Sequence, residues 1–135
     1  MLEMSVRTVD HEPKSGHPVA ILLPRQRAAC APLALPIQAA DACSLSHELE
    51  RVATPRGRAY ALLAQTLAAI GGQVVAIQLE PGQDGSPVAR IRVSHGDTWS
   101  EHQADVTLAL GLAVYNSLPV LVSEQLARIP TGLTD

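Results

Sequence analysis

The chain opens on a clean alternation. Leu2, Met4 and Val6 fall on one side of an extended segment and Glu3, Ser5 and Arg7 on the other, the period-two signature of a half-buried strand. A polar loop at residues 10–17 carries the turn formers Pro13 and Gly16. Residues 19–23 read Val-Ala-Ile-Leu-Leu, apolar on both faces, as a central strand requires. Pro24 and a basic turn with Arg25 and Arg27 end it. A third extended piece places Leu33, Leu35 and Ile37 on one face, while Pro32 and Pro36 lack N–H donors and make it an edge strand.

Between residues 38 and 52 the period changes. Ala42, Leu45, Leu49 and Val52 recur at three- and four-residue steps with Glu48, Glu50 and Arg51 facing away, which predicts an amphipathic helix. Thr54-Pro55 and Gly57 break it. A second helix follows with Leu62, Leu63, Leu67 and Ile70 as its apolar stripe, an Ala-rich outer face and a stop at Gly71-Gly72. Val75, Ile77 and Leu79, a turn at Asp84-Gly85, then Ala89, Ile91 and Val93 predict a hairpin, with Arg90 and Arg92 on its other face beside Glu80. His95-Gly96-Asp97 turns into a further strand at residues 98–102. Residues 108–114 are apolar all round and predict a buried helix capped by Asp105 or Thr107. Pro119 ends it, Val120-Leu121-Val122 form a short strand, and Ser123 caps a last short helix before Pro130. The elements sum to one α+β domain over residues 1–135, an ordered core at 1–130 and a tail at 131–135. A mixed, mostly antiparallel sheet of six to seven strands wraps the buried apolar helix, taken as the longest, with two further amphipathic helices.

Composition narrows the functions. With 47% apolar and 17% charged residues in 135, the chain is not disordered. A net charge of −3 is the wrong sign for holding nucleic acid by phosphate neutralisation alone. Trp99, Tyr60 and Tyr115 are the whole aromatic set, too few for a platform that stacks single-stranded bases. The first residues lack a basic region followed by an apolar run, and no apolar stretch approaches the roughly 20 residues that cross a bilayer. Cys30 and Cys43 stand at no zinc spacing and read as small buried or half-buried hydrophobes. These features predict a soluble, reduced, cytoplasmic protein without a membrane partner.

The densest ionisable run is His95, Asp97, Glu101, His102 and Asp105. Asp97, Glu101 and Asp105 could present oxygens to Mg²⁺ or Mn²⁺, with His95 or His102 as acid/base or as a ligand for a softer metal. The same residues also fit a plain turn, a two-faced strand and a helix cap. Arg56 and Arg58, with Arg51, could hold a phosphate bidentately, and the Tyr60 hydroxyl could reach an anion; solvated loop arginines and a space-filling ring are the structural alternatives.

The order of elements resembles the bifunctional nuclease domain family. Glu3-Met4-x-Val6-x-x-Val9 and Gly16-x-Pro18-Val19-x-Ile21-Leu22-Leu23 are similar to its first hairpin. Pro32-Leu33-Ala34-Leu35 sits where the family has Pro-Ile-Trp-Ile. Leu62-Leu63-x-x-x-Leu67-x-x-Ile70-Gly71 resembles its second helix, and residues 109–122 its buried helix and final strand. The family's polar signature is replaced at three places. Its Gly-x-x-Glu-Ala reads Pro36-Ile37-Gln38-Ala39-Ala40, its His-Asp reads Tyr60-Ala61, and its Arg-Pro-Ser-Asp reads Asp105-Val106-Thr107-Leu108. An alanine or leucine can neither ligate a metal nor carry a proton.

The resemblance implies a metal-assisted nuclease acting on DNA or RNA. In that reading Glu101, His102 and Asp105 form a relocated catalytic centre, Asp97, Glu101 and Asp105 hold Mg²⁺ or Mn²⁺, and Arg56, Arg58 and Tyr60 hold the substrate. The alternative is a catalytically inactive relative that acts as a homo-oligomeric or partner-binding module, the Ala-rich second helix offering a flat packing surface.

Overall fold

The computed structural model describes residues 1–26 and 31–127; Arg27, Cys30 and the tail at 131–135 lie outside the described residues. Strands β1 (Leu2–His11), β2 (Pro18–Pro24) and β3 (Leu33–Pro36) are followed by helices α1 (Ala39–Leu49) and α2 (Pro55–Ala69). Strands β4 (Gly72–Pro81), β5 (Pro87–His95) and β6 (Thr98–Ala104), helix α3 (Val106–Tyr115), strand β7 (Val120–Val122) and helix α4 (Glu124–Ala127) complete the order. The strands form one seven-stranded sheet in the order β3-β2-β1-β7-β4-β5-β6. Among the described residues only β4 and β7 run parallel, so the sheet is mixed and mostly antiparallel as predicted.

One face of the sheet carries the core. Met4, Leu22, Leu33, Leu35, Ile77, Leu79, Val120 and Val122 pack there against Leu45 of α1, Tyr60 of α2 and Ala109, Leu110, Leu112 and Ala113 of α3. Helix α3 is the buried one, but at ten residues it is shorter than α2 at fifteen. Two bulges tune the sheet. The register of β1 shifts between Val6 and Thr8, which brings Val9 onto the face already used by Met4 and Val6. The register of β4 shifts between Val74 and Ala76, so Val74 packs on the core in phase with Ile77, in place of the Val75 that simple alternation predicts.

The stop signals act as expected. Gly71 ends α2 at φ 79° and Gly85 turns the β4–β5 hairpin at φ 85°. Asp105 caps α3, its Oδ2 accepting the Leu108 N–H at 3.1 Å, and Ser123 Oγ accepts from Leu126 at the start of α4. Helices α1 and α3 end without the usual glycine. Arg51 at φ 61° and Ser117 at φ 55° occupy the left-handed position. The N–H groups of Val52 and Leu118 close the last turns on His47 and Ala113. A side chain in that conformation costs about 1–2 kcal/mol. Ser117→Gly should therefore raise stability by about 0.5–1 kcal/mol after the glycine's own entropy is counted, measured by urea unfolding.

Two helix faces differ from the prediction. In α2 three of the four stripe residues point outward: Leu62 is 64% and Ile70 62% exposed, and Leu63 is exposed too. The less exposed positions include Gly57, Tyr60, Ala64 and Leu67, with Gly57 beside Glu48 of α1, Tyr60 against Gly111 of α3 and Leu67 against Gly72 of β4. In α1, Glu48 is buried rather than solvated, and Val52 lies beyond the helix end and is exposed.

Candidate functional site

Ala39 lies at the start of α1, Leu108 in the first turn of α3 and Tyr60-Ala61 in the second turn of α2, and a compact polar junction joins α1 to α2. Thr54 caps α2, its Oγ1 accepting the Gly57 N–H at 3.0 Å, and Pro55 occupies the first helical position, where its missing N–H costs nothing. The next residue, Arg56, reaches across to α1 and donates from Nη2 to Asp41 Oδ1 at 3.0 Å. This partner raises the guanidinium's pKa further and fixes its direction. Beneath it the Tyr60 ring is buried, tilted against Tyr115 at 5.9 Å between centroids. Burial pushes the Tyr60 phenol up, with Arg56 beside it pulling the other way. The phenol oxygen fits because Gly111 has no side chain: a Cβ there would stand 2.1 Å from it.

Glu48 belongs to the same junction. A Cβ on Gly57 would lie 3.4 Å from Glu48 Oε2, so the glycine leaves the space that the carboxylate fills. Burial raises the Glu48 pKa, against the opposing charge of Arg51. The folded protein thus holds a proton at Glu48 more tightly than the unfolded chain does. Below the ordinary carboxylate range both are protonated and nothing is lost; as pH rises beyond it, the folded state is penalised until its own carboxyl ionises. Glu48→Gln removes that penalty. The variant should melt above the wild type at neutral pH, and the difference should shrink towards zero in acid, as read by thermal unfolding across pH.

The strand residues named as a metal and catalytic centre are placed differently. Asp97 sits in the two-residue turn between β5 and β6, exposed. Glu101 lies opposite Arg92 on the sheet face away from the helices and accepts from its Nη2 at 2.9 Å. Arg92 also lies over the Trp99 ring, 4.6 Å from its centroid, and its Nε is buried with no hydrogen-bond partner. His102 faces the other way, its Nε2 2.8 Å from Ser100 Oγ, because successive strand residues alternate. Asp105 turns back onto the first turn of α3. The structure therefore brings Arg92, Trp99 and Glu101 together and does not bring Asp97, Glu101, His102 and Asp105 onto one point. Mg²⁺ asks for near-octahedral oxygens. Among the described residues no three His, Cys, Asp or Glu side chains are grouped to hold a metal ion, and the acidic run does not fit one.

Of the residues assigned to substrate, Arg56 is engaged by Asp41, Tyr60 is buried, and Arg58 is exposed near the start of α2. Arg90 pairs with Glu80, as the sequence suggested. Cys43 is exposed, against expectation, with its Sγ 3.6 Å from His47 Nε2 one helical turn on. Sequence reasoning missed Asp41 and Glu48 because their partners lie on another helix. The one available signal was Gly57, a gap in a helix start that something else must fill.

A seven-stranded mixed sheet covered by helices, with a polar junction between α1 and α2, defines the class: a small α+β protein. The chain belongs to the bifunctional nuclease domain family, whose model matches it over residues 21–130. No curated protein matches the chain. No helix among the described residues is long and apolar enough to cross a membrane.

Proposed function

We propose that this chain is a non-cleaving member of the family that works by binding, as a homo-oligomer or on a partner protein. The observation that carries the reading is the separate engagement of the acidic groups. Asp41 is held by Arg56, Glu101 by Arg92, and Asp105 by the start of α3. The family's own carboxylate positions hold Ala39, Ala61 and Leu108, which supply no ligand and no proton. A cytoplasmic location accords with the exposed free thiol of Cys43.

A metal-assisted nuclease is the second reading, favoured by family membership and by the arginines Arg56 and Arg58 at the start of α2. Incubating the pure protein with plasmid and with RNA, in Mg²⁺, in Mn²⁺ and with chelator, separates the two. The binding reading expects intact substrate in every lane. Cleavage that needs the metal ion would establish the second.

A further inference from the structure

We propose that β6 is a self-association edge, on which a second copy of this chain adds its own β6 antiparallel to make one sheet through both molecules. The inference rests on the homo-oligomer form of the binding reading: a monomeric chain would end the inference and leave the partner-protein form, whereas metal-dependent cleavage would end the reading and leave the dimer.

The sheet has two edges and treats them oppositely. The β3 edge is four residues long, has proline on both flanks at Pro32 and Pro36, and Leu33, Ala34 and Leu35 are buried. Prolines and short length are the usual devices that stop an edge from pairing. The β6 edge is seven residues long and carries no proline, glycine or lysine. Its register with β5 runs unbroken from Ala89↔Ala104 to His95↔Thr98, unlike the bulged pairings of β1 with β2 and β4 with β5. Among the described residues β6 pairs with β5 alone, which leaves a regular row of N–H and C=O groups open on its far side. Trp99, the one tryptophan of the chain, stands on this strand 61% exposed.

The strand's own side chains choose the second copy and its register. A two-fold axis through a continuous sheet pairs residues that share a face. Centred on Glu101, it would set two carboxylates against each other; centred on His102, two imidazoles. Centred on Ser100, it sets Ser100 against Ser100, Thr98 against His102 of the second copy and Trp99 against Glu101 of the second copy. No like charges then meet. Each Glu101 would lie beside an indole that already carries the Arg92 guanidinium, so a cation from one copy faces a carboxylate from the other. An extended segment of an unrelated protein would need only the open backbone; the like-charge-free self-register favours a second copy.

The test is the mass of the full chain in solution by light scattering after size exclusion, with Trp99 fluorescence followed on dilution. The expected mass is twice the 14.3 kDa of one chain, and dilution should shift Trp99 emission to the red as the mass halves. Ser100→Lys, which sets two cations at the centre, and Trp99→Glu, which sets carboxylates against Glu101, should each yield a monomer with unchanged far-UV circular dichroism. Leu62→Lys on α2 should remain a dimer. A wild-type chain that stays monomeric at its highest soluble concentration would overturn the proposal, and so would a dimer that survives both β6 variants or dissociates with Leu62→Lys.

Discussion

Gly111→Ala should destabilise the protein by about 2–3 kcal/mol, although alanine is the better helix former by about 1 kcal/mol in an open helix. The reason is the close passage of α2 over α3. A Cβ at Gly111 would lie 2.1 Å from the Tyr60 hydroxyl oxygen and 2.8 Å from its ring carbon Cζ, far inside van der Waals contact. The ring cannot swing away freely, since it is 4% exposed and rests on Tyr115. Tyr60→Phe removes the nearest atom, so the double variant should lose less than the sum of the single losses. Urea unfolding of the four proteins measures both effects. Additive losses would mean that Tyr60 does not set the spacing of the two helices.

Leu110→Ala should cost about 3 kcal/mol, within the range for emptying a fully buried leucine site. Leu110 is 0% exposed, one residue before the glycine, and it packs in the cluster that joins α3 to Ile77 and Leu79 of β4 and to Val120 and Val122 of β7. Those two strands form the sheet's parallel pair, at its centre. A loss of this size is a large share of the roughly 5–15 kcal/mol that holds a domain of this kind folded. The variant should show a lower urea midpoint with an unchanged slope; a loss under 1 kcal/mol would mean that the α3 cluster closes over the gap.

Most of the fold could be read along the chain because each strand and helix declares itself by local period. The alternation at Leu2, Met4 and Val6, the glycine stop at Gly71 and the cap at Asp105 are all as the residues imply. Two kinds of feature were not legible. A bulge inserts one residue and shifts the phase, so Val9 and Val74 turn inward with no mark in the composition of their strands. The facing of α2 is only partly legible: Leu67 of the expected stripe turns inward, but Tyr60 fits against Gly111 of α3 and Gly57 against Glu48 of α1, while Leu62, Leu63 and Ile70 remain outside.

The site divides in the same way. The replaced positions Ala39, Ala61 and Leu108 could be located from family motifs alone, and the Arg90–Glu80 pair from strand phase. The engagement of Asp41 by Arg56 and the burial of Glu48 under Gly57 depend on how α1 meets α2, which no spacing within one helix encodes. That engagement changes the chemistry available. An arginine tied to a carboxylate is a weaker anion holder than a free one, and a carboxylate used to cap a helix is a poor metal ligand.

The proposed state of this chain is the family's fold without cutting chemistry. It is tested most directly by single-turnover cleavage, with protein in excess over end-labelled DNA and RNA, in Mg²⁺ and in Mn²⁺ against a chelated control. The expected time courses superimpose on the control for both substrates. A metal-dependent loss of substrate that disappears in Glu101→Ala or Asp105→Ala would contradict it and restore the strand as a catalytic centre.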